Sequence, residues 1–176
     1  MELTPTMERY ILHWGEMGTR WGVSRSVAQV HALLFLSPEP ITAEEIAETL
    51  SIARSNVSTS LKELLSWDLI QKINVIGDRR DHFAAETDPW ESFMLIVKGR
   101  KQREIDPTLT TLRQCLDDAD NDPKLPNVSK ERIGEVLQFL ELLTNWYDDV
   151  QKLPRPVQIK IIKMGSKIAK LIGKVT

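Results

Sequence analysis

Apolar residues recur at spacings of three and four along most of this chain, and that rhythm divides it into helices. Met7, Ile11, Trp14, Met17 and Trp21 mark one apolar face of a first helix, which Gly22 breaks. Ser24 is placed to cap a second helix, with Val27, Val30, His31, Leu33, Leu34 and Leu36 along it. Pro38 and Pro40 end that helix, because proline lacks an amide donor and disfavours helix at the residue before it. Thr42 and Glu45, three apart, form a capping-box pattern for a third helix with Ile46, Ala47 and Leu50 inward. A short break over residues 51–53 leads to a fourth helix over roughly 54–67, with Val57, Leu61 and Leu64 inward.

The period then changes. Residues 69–75 read as a strand bounded by Gly77-Asp78, residues 77–81 as a charged turn, and residues 82–85 as a short return strand. Beyond this β-hairpin the helical period resumes. Pro89 opens a helix through Phe93, Ile96 and Val97 to about Leu116, and residues 117–127 form an acidic loop with Pro123 and Pro126. Ser129 is expected to cap the next helix, with Arg132 and not an acid at the capping-box position. Its apolar residues are Ile133, Val136, Leu137, Leu140, Leu143 and Tyr147, and Pro154 and Pro156 separate it from a last helix over 157–172. The expected fold is mainly α with a small β-hairpin wing. A winged helix-turn-helix at 25–88 stands between an N-terminal dimerisation helix at 1–24 and a C-terminal helical dimerisation region at 89–176.

The stretch ITAEEIAETLSIARSNVSTSLKELLSWDLI, residues 41–70, carries the functional signal. Two short helices joined by a tight turn form a helix-turn-helix. Ala47 supplies the small residue where the helices cross, and Val57 and Leu61 lock the second helix against the first. Arg54, Ser55, Asn56, Ser58 and Thr59 crowd the exposed start of the second helix, where a major groove is read. Asparagine can hold adenine through two hydrogen bonds, while Lys62, farther along, suits a phosphate. Any helical hairpin with a polar face shares part of this pattern, but the hairpin that follows favours DNA. Asp78, Arg79, Arg80 and Asp81 are expected at its tip, and a wing arginine suits the negative potential of a narrow A·T-rich minor groove.

Residues 41–85 resemble the winged helix of MarR-type regulators, and Asp78-Arg79-Arg80 resembles their wing pattern of Asp, any residue, Arg. WGVSRSVAQVHALLFLSPEP at 21–40 and AETDPW at 85–90 resemble the GbsR branch. The resemblance implies a homodimer, palindromic operators in double-stranded DNA and, usually, repression. Some members of that branch control synthesis or uptake of glycine betaine in response to its precursors. Typical MarR proteins run from the second wing strand into a Leu-Thr helix start, where this chain has Glu86-Thr87-Asp88-Pro89. The ligand-response mechanisms of the wider family are therefore not carried over.

Composition narrows the alternatives. With 41% hydrophobic and 27% charged residues, the 176-residue chain has the make-up of a folded globular protein. Its net charge of −2 does not exclude DNA, since the location of the positive charge decides binding. The single cysteine, Cys115, excludes an internal disulfide and a cysteine zinc cluster. The first ten residues lack the long apolar run of a signal peptide, and no apolar stretch is long enough to span a bilayer, so a cytoplasmic location without membrane contact is expected. His13, His31 and His82 are scattered, and neither Glu44-Glu45-Glu48 nor the acids of 117–122 have His or Cys partners. Without a phosphate loop or nucleophile elbow, no catalytic residue, metal site or cofactor is assigned, and an enzyme is not expected.

Two further features concern partners. Tyr10, Trp14, Trp21, Trp146 and Tyr147, with Trp67 and Trp90, are aromatic enough to form core and dimer packing. Given the resemblance, the first five are candidates for a cage around a small-molecule effector carrying a quaternary ammonium. The last helix carries Lys160, Lys163, Lys167, Lys170 and Lys174 on one stripe, with Ile161, Met164, Ile168, Leu171 and Ile172 off it. Such a helix can lie on a membrane or bury its apolar side in a partner subunit, and the need of a small winged helix for extra dimer surface favours the latter. The expected function is a dimeric DNA-binding repressor relieved by a small molecule. The alternative is a winged-helix protein-interaction module that does not use DNA.

Overall fold

A computed structural model describes residues 1–172, with side chains through residue 165. The chain forms two compact units, Met1–Gly99 and Arg100–Thr176. In the first unit, α1 (Pro5–Arg20) starts at Thr4, whose hydroxyl accepts from the Met7 amide at 3.3 Å. α2 (Arg25–Leu36) starts at Ser24, whose hydroxyl accepts from the Val27 amide at 3.2 Å. The two helices cross closely because Gly18 has no Cβ; one added there would collide with the Cβ of Ala28.

α3 (Ala43–Leu50) carries the expected capping box: the Glu45 carboxylate accepts from both the amide and the hydroxyl of Thr42 at 2.7 Å. α4 (Arg54–Ser66) follows after the turn. Val30, Leu33, Leu34, Ile46 and Val57 form the dry centre of the unit, joined by Ile11, Leu61, Leu64, Leu69, Ile70 and Phe83. The periodic apolar positions of four helices thus meet in one core.

The sheet differs from the expected hairpin in two ways. It has three antiparallel strands in the order β1-β3-β2, with β1 (Ile41–Thr42), β2 (Ile70–Ile73) and β3 (His82–Ala85). Ile41 pairs with Phe83 and Thr42 with His82, while Ile70 pairs with Ala85 and Ile73 with His82. Two-residue β1 is too short to show any period, and its partner strand lies far along the sequence. β2 ends at Ile73, short of the expected Val75, because the chain turns there and leaves Val75 and Ile76 exposed. α5 (Pro89–Arg100) begins where the Asp88 carboxylate accepts from the Trp90 amide at 2.8 Å. Glu86-Thr87-Asp88-Pro89 is therefore a helix start of its own kind, with acid before proline.

The expected single helix over 89–116 is interrupted. A π-helical turn, Lys101–Ile105, separates α5 from α6 (Asp106–Ala119). Pro107 is the local cause, since it has no amide for the normal helical bond and the ladder must change register before it. α6 also runs three residues into the expected acidic loop, as neither glycine nor proline stops it before Pro123. α7 (Asn127–Gln151) starts after Pro126 with no side-chain cap, so Ser129 is not the capping residue; it lies in the first turn, its amide donating to the Pro126 carbonyl at 2.9 Å. α8 (Arg155–Ile172) starts two residues before the expected Val157. It keeps Pro156 in the first turn, where a missing amide costs no helical bond. The Gln158 side chain, buried, donates to the Leu153 carbonyl at 2.7 Å and fastens this corner.

α7 has two apolar faces. Ile133, Leu137, Leu140, Thr144 and Tyr147 are half-buried or buried, and α7 packs on α6. Val136, Phe139, Leu143 and Trp146 form a second stripe, with Leu142 beside it, and all five are exposed. Lys160 and Lys163 of the expected lysine stripe are exposed on α8. The side chains of Lys167 and Lys170, and all of Lys174, lie outside the described residues.

Candidate nucleic-acid interface

Burial sorts α4 cleanly. Val57, Ser60, Leu61 and Leu64 are buried, while Arg54, Ser55, Asn56, Ser58, Thr59 and Lys62 are all exposed. The six candidate readers therefore share the solvent side of one rigid helix. Ser60 lies outside the inward positions that the apolar period marks. It is fully buried with its hydroxyl unpartnered, a polar residue at an inward position that the apolar period does not mark.

The turn before α4 fixes the helix's angle. Ser51 adopts the left-handed conformation at φ 52°, and the Ile52 amide closes back on the Ala47 carbonyl at 3.1 Å. Ala53 then precedes α4 without a side-chain cap; its carbonyl accepts from the Asn56 amide at 2.9 Å and the Val57 amide at 3.1 Å, so only the first amides of the helix, those of Arg54 and Ser55, face solvent or a ligand. The helix is a platform whose polar start faces outward and whose apolar side is held by α2 and α3.

The wing is an ordered arm. A turn over residues 75–78 closes with the Asp78 amide donating to the Val75 carbonyl at 3.1 Å, and Gly77 supplies the positive φ of 86° that its third position requires. Residues 78–81, the expected tip, belong mostly to the returning arm; the outermost corner is Ile76-Gly77. Local periodicity does not reveal this, but the tetrad Val-Ile-Gly-Asp is a recognisable type II turn. Arg80 is gripped by Asp78, its Nε 3.0 Å from both carboxylate oxygens and its backbone amide 2.9 Å from one. That grip holds the Asp78 carboxyl well below the usual carboxylate range and raises the Arg80 guanidinium.

Around this pair the wing base is braced. The Asp78 carboxylate is 3.6 Å from Nε2 of His82, whose Nδ1 is 3.1 Å from the Arg80 carbonyl oxygen. Lys72 on β2, absent from the sequence-based site, forms an ion pair of 2.7 Å with Asp81 across the hairpin. Glu45, lowered first by its hydrogen bond to the Thr42 amide, lies close enough to Arg80 and His82 to be lowered further by their charge. The capping box of α3 and the wing thus share one electrostatic neighbourhood. Arg79 is exposed and, among the described residues, without an ion pair.

The aromatic candidates are divided. Tyr10 and Trp14, one turn apart on α1, stack on each other with centroids 5.2 Å apart and planes 12° from parallel. Both also pack against the core of the first unit. Trp21, at the end of α1, is largely exposed. In the second unit Trp146 is exposed and Tyr147 half-buried on the opposite face of α7. Among the described residues, no group of three His, Cys, Asp or Glu side chains could hold a metal, and no helix is long and apolar enough to cross a membrane.

Comparison with known proteins agrees with this geometry. A model described as the MarR family matches residues 21–81, which span the helix-turn-helix and most of the wing. The chain is 25% identical to the HTH-type transcriptional repressor GbsR of Bacillus subtilis (strain 168), over 78% of each chain. It is 18% identical to the HTH-type transcriptional repressor OpcR of the same organism, over 76% of this chain and 74% of that one. A solved structure described as a transcriptional regulator superposes with a TM-score of 0.59 at 22% identity, over 82% of this chain and 95% of that one, and shares its fold. The family and the relatives are transcriptional regulators and not enzymes. The chain thus has a winged-helix fold, is similar to the MarR family over residues 21–81, and resembles the GbsR-type branch of those regulators over most of its length.

Proposed function

We propose that this protein is a sequence-specific, homodimeric DNA-binding repressor working in the cytoplasm. The observation that carries the proposal is the uninterrupted polar and basic stripe on α4, exposed beside a basic wing while every apolar residue of that helix but half-buried Leu65 is inward. Arg54, Ser55, Asn56, Ser58, Thr59 and Lys62 would enter a major groove, and Arg79 and Arg80 would follow the adjoining minor groove. The second apolar stripe of α7 supports self-association, because an exposed run of this kind needs a partner. The dimer would bind two half-sites of a palindrome. The outer segments, 1–24 and 89–176, would supply its interface.

Binding-site selection with the purified protein tests the proposal. Asn56→Ala should blur one base position in each half-site, since a two-bond amide contact discriminates by about 1–3 kcal/mol. Lys62→Ala should weaken all sequences alike and reduce the salt slope by about one phosphate per subunit. A selection that enriches nothing above background refutes DNA reading and leaves an interaction module. Relief by a small molecule is the finer reading. Tyr10, Trp14, Trp21, Trp146 and Tyr147 are its candidate residues, the resemblance to the GbsR branch points to osmoprotectant chemistry, and tryptophan fluorescence titrated with choline or glycine betaine checks it.

A further inference from the structure

Ile76 occupies the outermost corner of the wing and is completely exposed, with a relative exposure of 103%. It is the second residue of a hydrogen-bonded turn, followed by Gly77 at positive φ, so the backbone holds its side chain away from the sheet. The arm behind it is fixed by Asp78–Arg80 and Lys72–Asp81 ion pairs and by the four-residue pairing of β2 with β3. An isoleucine there contributes nothing to the core of this chain. Turn corners favour small or polar residues, and β-branched side chains are poorly suited to them. Arg79 stands exposed three residues on, and Val75, just before it, is also exposed. The wing therefore presents an apolar point flanked by an uncompensated cation.

We infer that Ile76 is a specificity residue of the wing, making apolar contact with the minor-groove floor and excluding G·C pairs from the step it covers. This rests on the DNA-binding reading above. The chemistry follows from the groove. A·T and T·A pairs show only acceptors on the minor-groove edge, whereas G·C adds the guanine 2-amino donor, which projects from the floor. An alkyl side chain offers that donor no acceptor and occupies the space it and its water need. Over A·T the same side chain meets sugar and base-edge surface without displacing a donor. Arg79 holds the arm to a phosphate, a contact that carries no base information of its own. Apolar wedges are a recurring means of minor-groove contact.

Inosine separates this from other sources of A·T preference. An I·C pair matches G·C in the major groove and lacks only the 2-amino group. On an operator from selection, the base pair under the wing is located by hydroxyl-radical footprinting and then made A·T, G·C or I·C. The wild-type protein should bind the A·T and I·C duplexes alike and the G·C duplex about five- to tenfold more weakly, the size of a typical single-pair penalty. Ile76→Ser should cut that penalty below twofold without changing the salt slope, and Ile76→Leu should retain it. Arg79→Ala should lower the salt slope and leave the G·C penalty. A full penalty in Ile76→Ser, or an I·C duplex that binds as weakly as G·C, overturns the assignment while leaving DNA binding intact. Failure of the wild-type protein to bind any operator overturns both.

Discussion

If the proposed dimer forms through the outer face of α7, replacing Phe139 by alanine should turn it into a monomer at micromolar concentration. Phe139 sits at the centre of the exposed stripe of α7, between Val136 and Leu143, and leaves 59% of its surface in water. The spacing 136, 139, 143, 146 alternates three and four, the seam of a coiled coil, and the helix's other seam is already used against α6. An aromatic side chain presents about 150–250 Å², so roughly 100 Å² of Phe139 awaits cover. At about 25 cal/mol per Å² its burial contributes about 2.5 kcal/mol. A twofold interface uses the residue twice, giving about 5 kcal/mol per dimer. After allowance for what alanine retains, the dissociation constant should rise about a thousandfold. Sedimentation velocity across a concentration series measures it. Circular dichroism should be unchanged at concentrations where the mutant is monomeric, because Phe139 lies outside the core of the single chain. Leu137→Ala, on the buried seam, should instead lower stability by about 2–5 kcal/mol. A Phe139→Ala protein with the wild-type dissociation constant would remove α7's outer face from the interface. Phe139→Asp, which carries charge into the same seam, would in that case remain dimeric as well.

Other perturbations test the fold and wing. His31 is largely buried with Nε2 unpartnered, and burial lowers its pKa from 6.5 to about 4. The unfolded chain therefore takes up the proton first as pH falls, so stability is level above about 6.5 and declines from there to about 4; urea melts of His31→Leu should lack that one-proton slope. Gly99→Ala would place its Cβ 2.5 Å from Cε3 of Trp67, and overpacking should cost about 1–3 kcal/mol in a thermal melt, whereas an unchanged melt would mean that the indole swings aside freely. Arg80→Ala should weaken operator binding while leaving the dimer and its helix content intact, and wild-type affinity in that protein would take the wing out of the interface.

Much of this architecture is legible because its causes are local. Thr42 and Glu45 meet within one turn, so the capping box can be read from two letters, and the inward stripe of α4 follows from its period. What escapes reading is non-local or steric. β1 exists only because Thr42 finds His82 across the sheet. Ser60 is polar by type yet fully buried, so residue type alone places it on the wrong side of α4. The π-turn arises where Pro107 interrupts an apolar rhythm that continues past it, and the rhythm is the louder signal. The grip of Asp78 on Arg80 shows the same limit. Both residues stand out in the sequence, but their spacing alone does not say whether the acid repels DNA or positions the arginine.

The ion pairs of the wing determine how strongly DNA binding should respond to salt. A count of cations on α4 and the wing gives Arg54, Lys62, Lys72, Arg79 and Arg80. Lys72 and Arg80 are already matched by Asp81 and Asp78, which leaves three uncompensated cations per subunit and six in a dimer. Each phosphate neutralised contributes about 0.9 to the slope of log K against log salt, so that slope should be about −5. If the wing pairs opened on binding, ten cations would act and the slope would approach about −9. The net charge of −2 is uninformative for this question, because the location of the positive charge and not its sum over the chain decides the contacts. Fluorescence anisotropy between 50 and roughly 300 mM salt distinguishes the two values, a range wide enough for either slope to be resolved. Asp81→Asn should then steepen the slope by freeing Lys72. Asp78→Asn should not do so to the same degree, because losing the carboxylate frees Arg80 but also releases the arm that carries it.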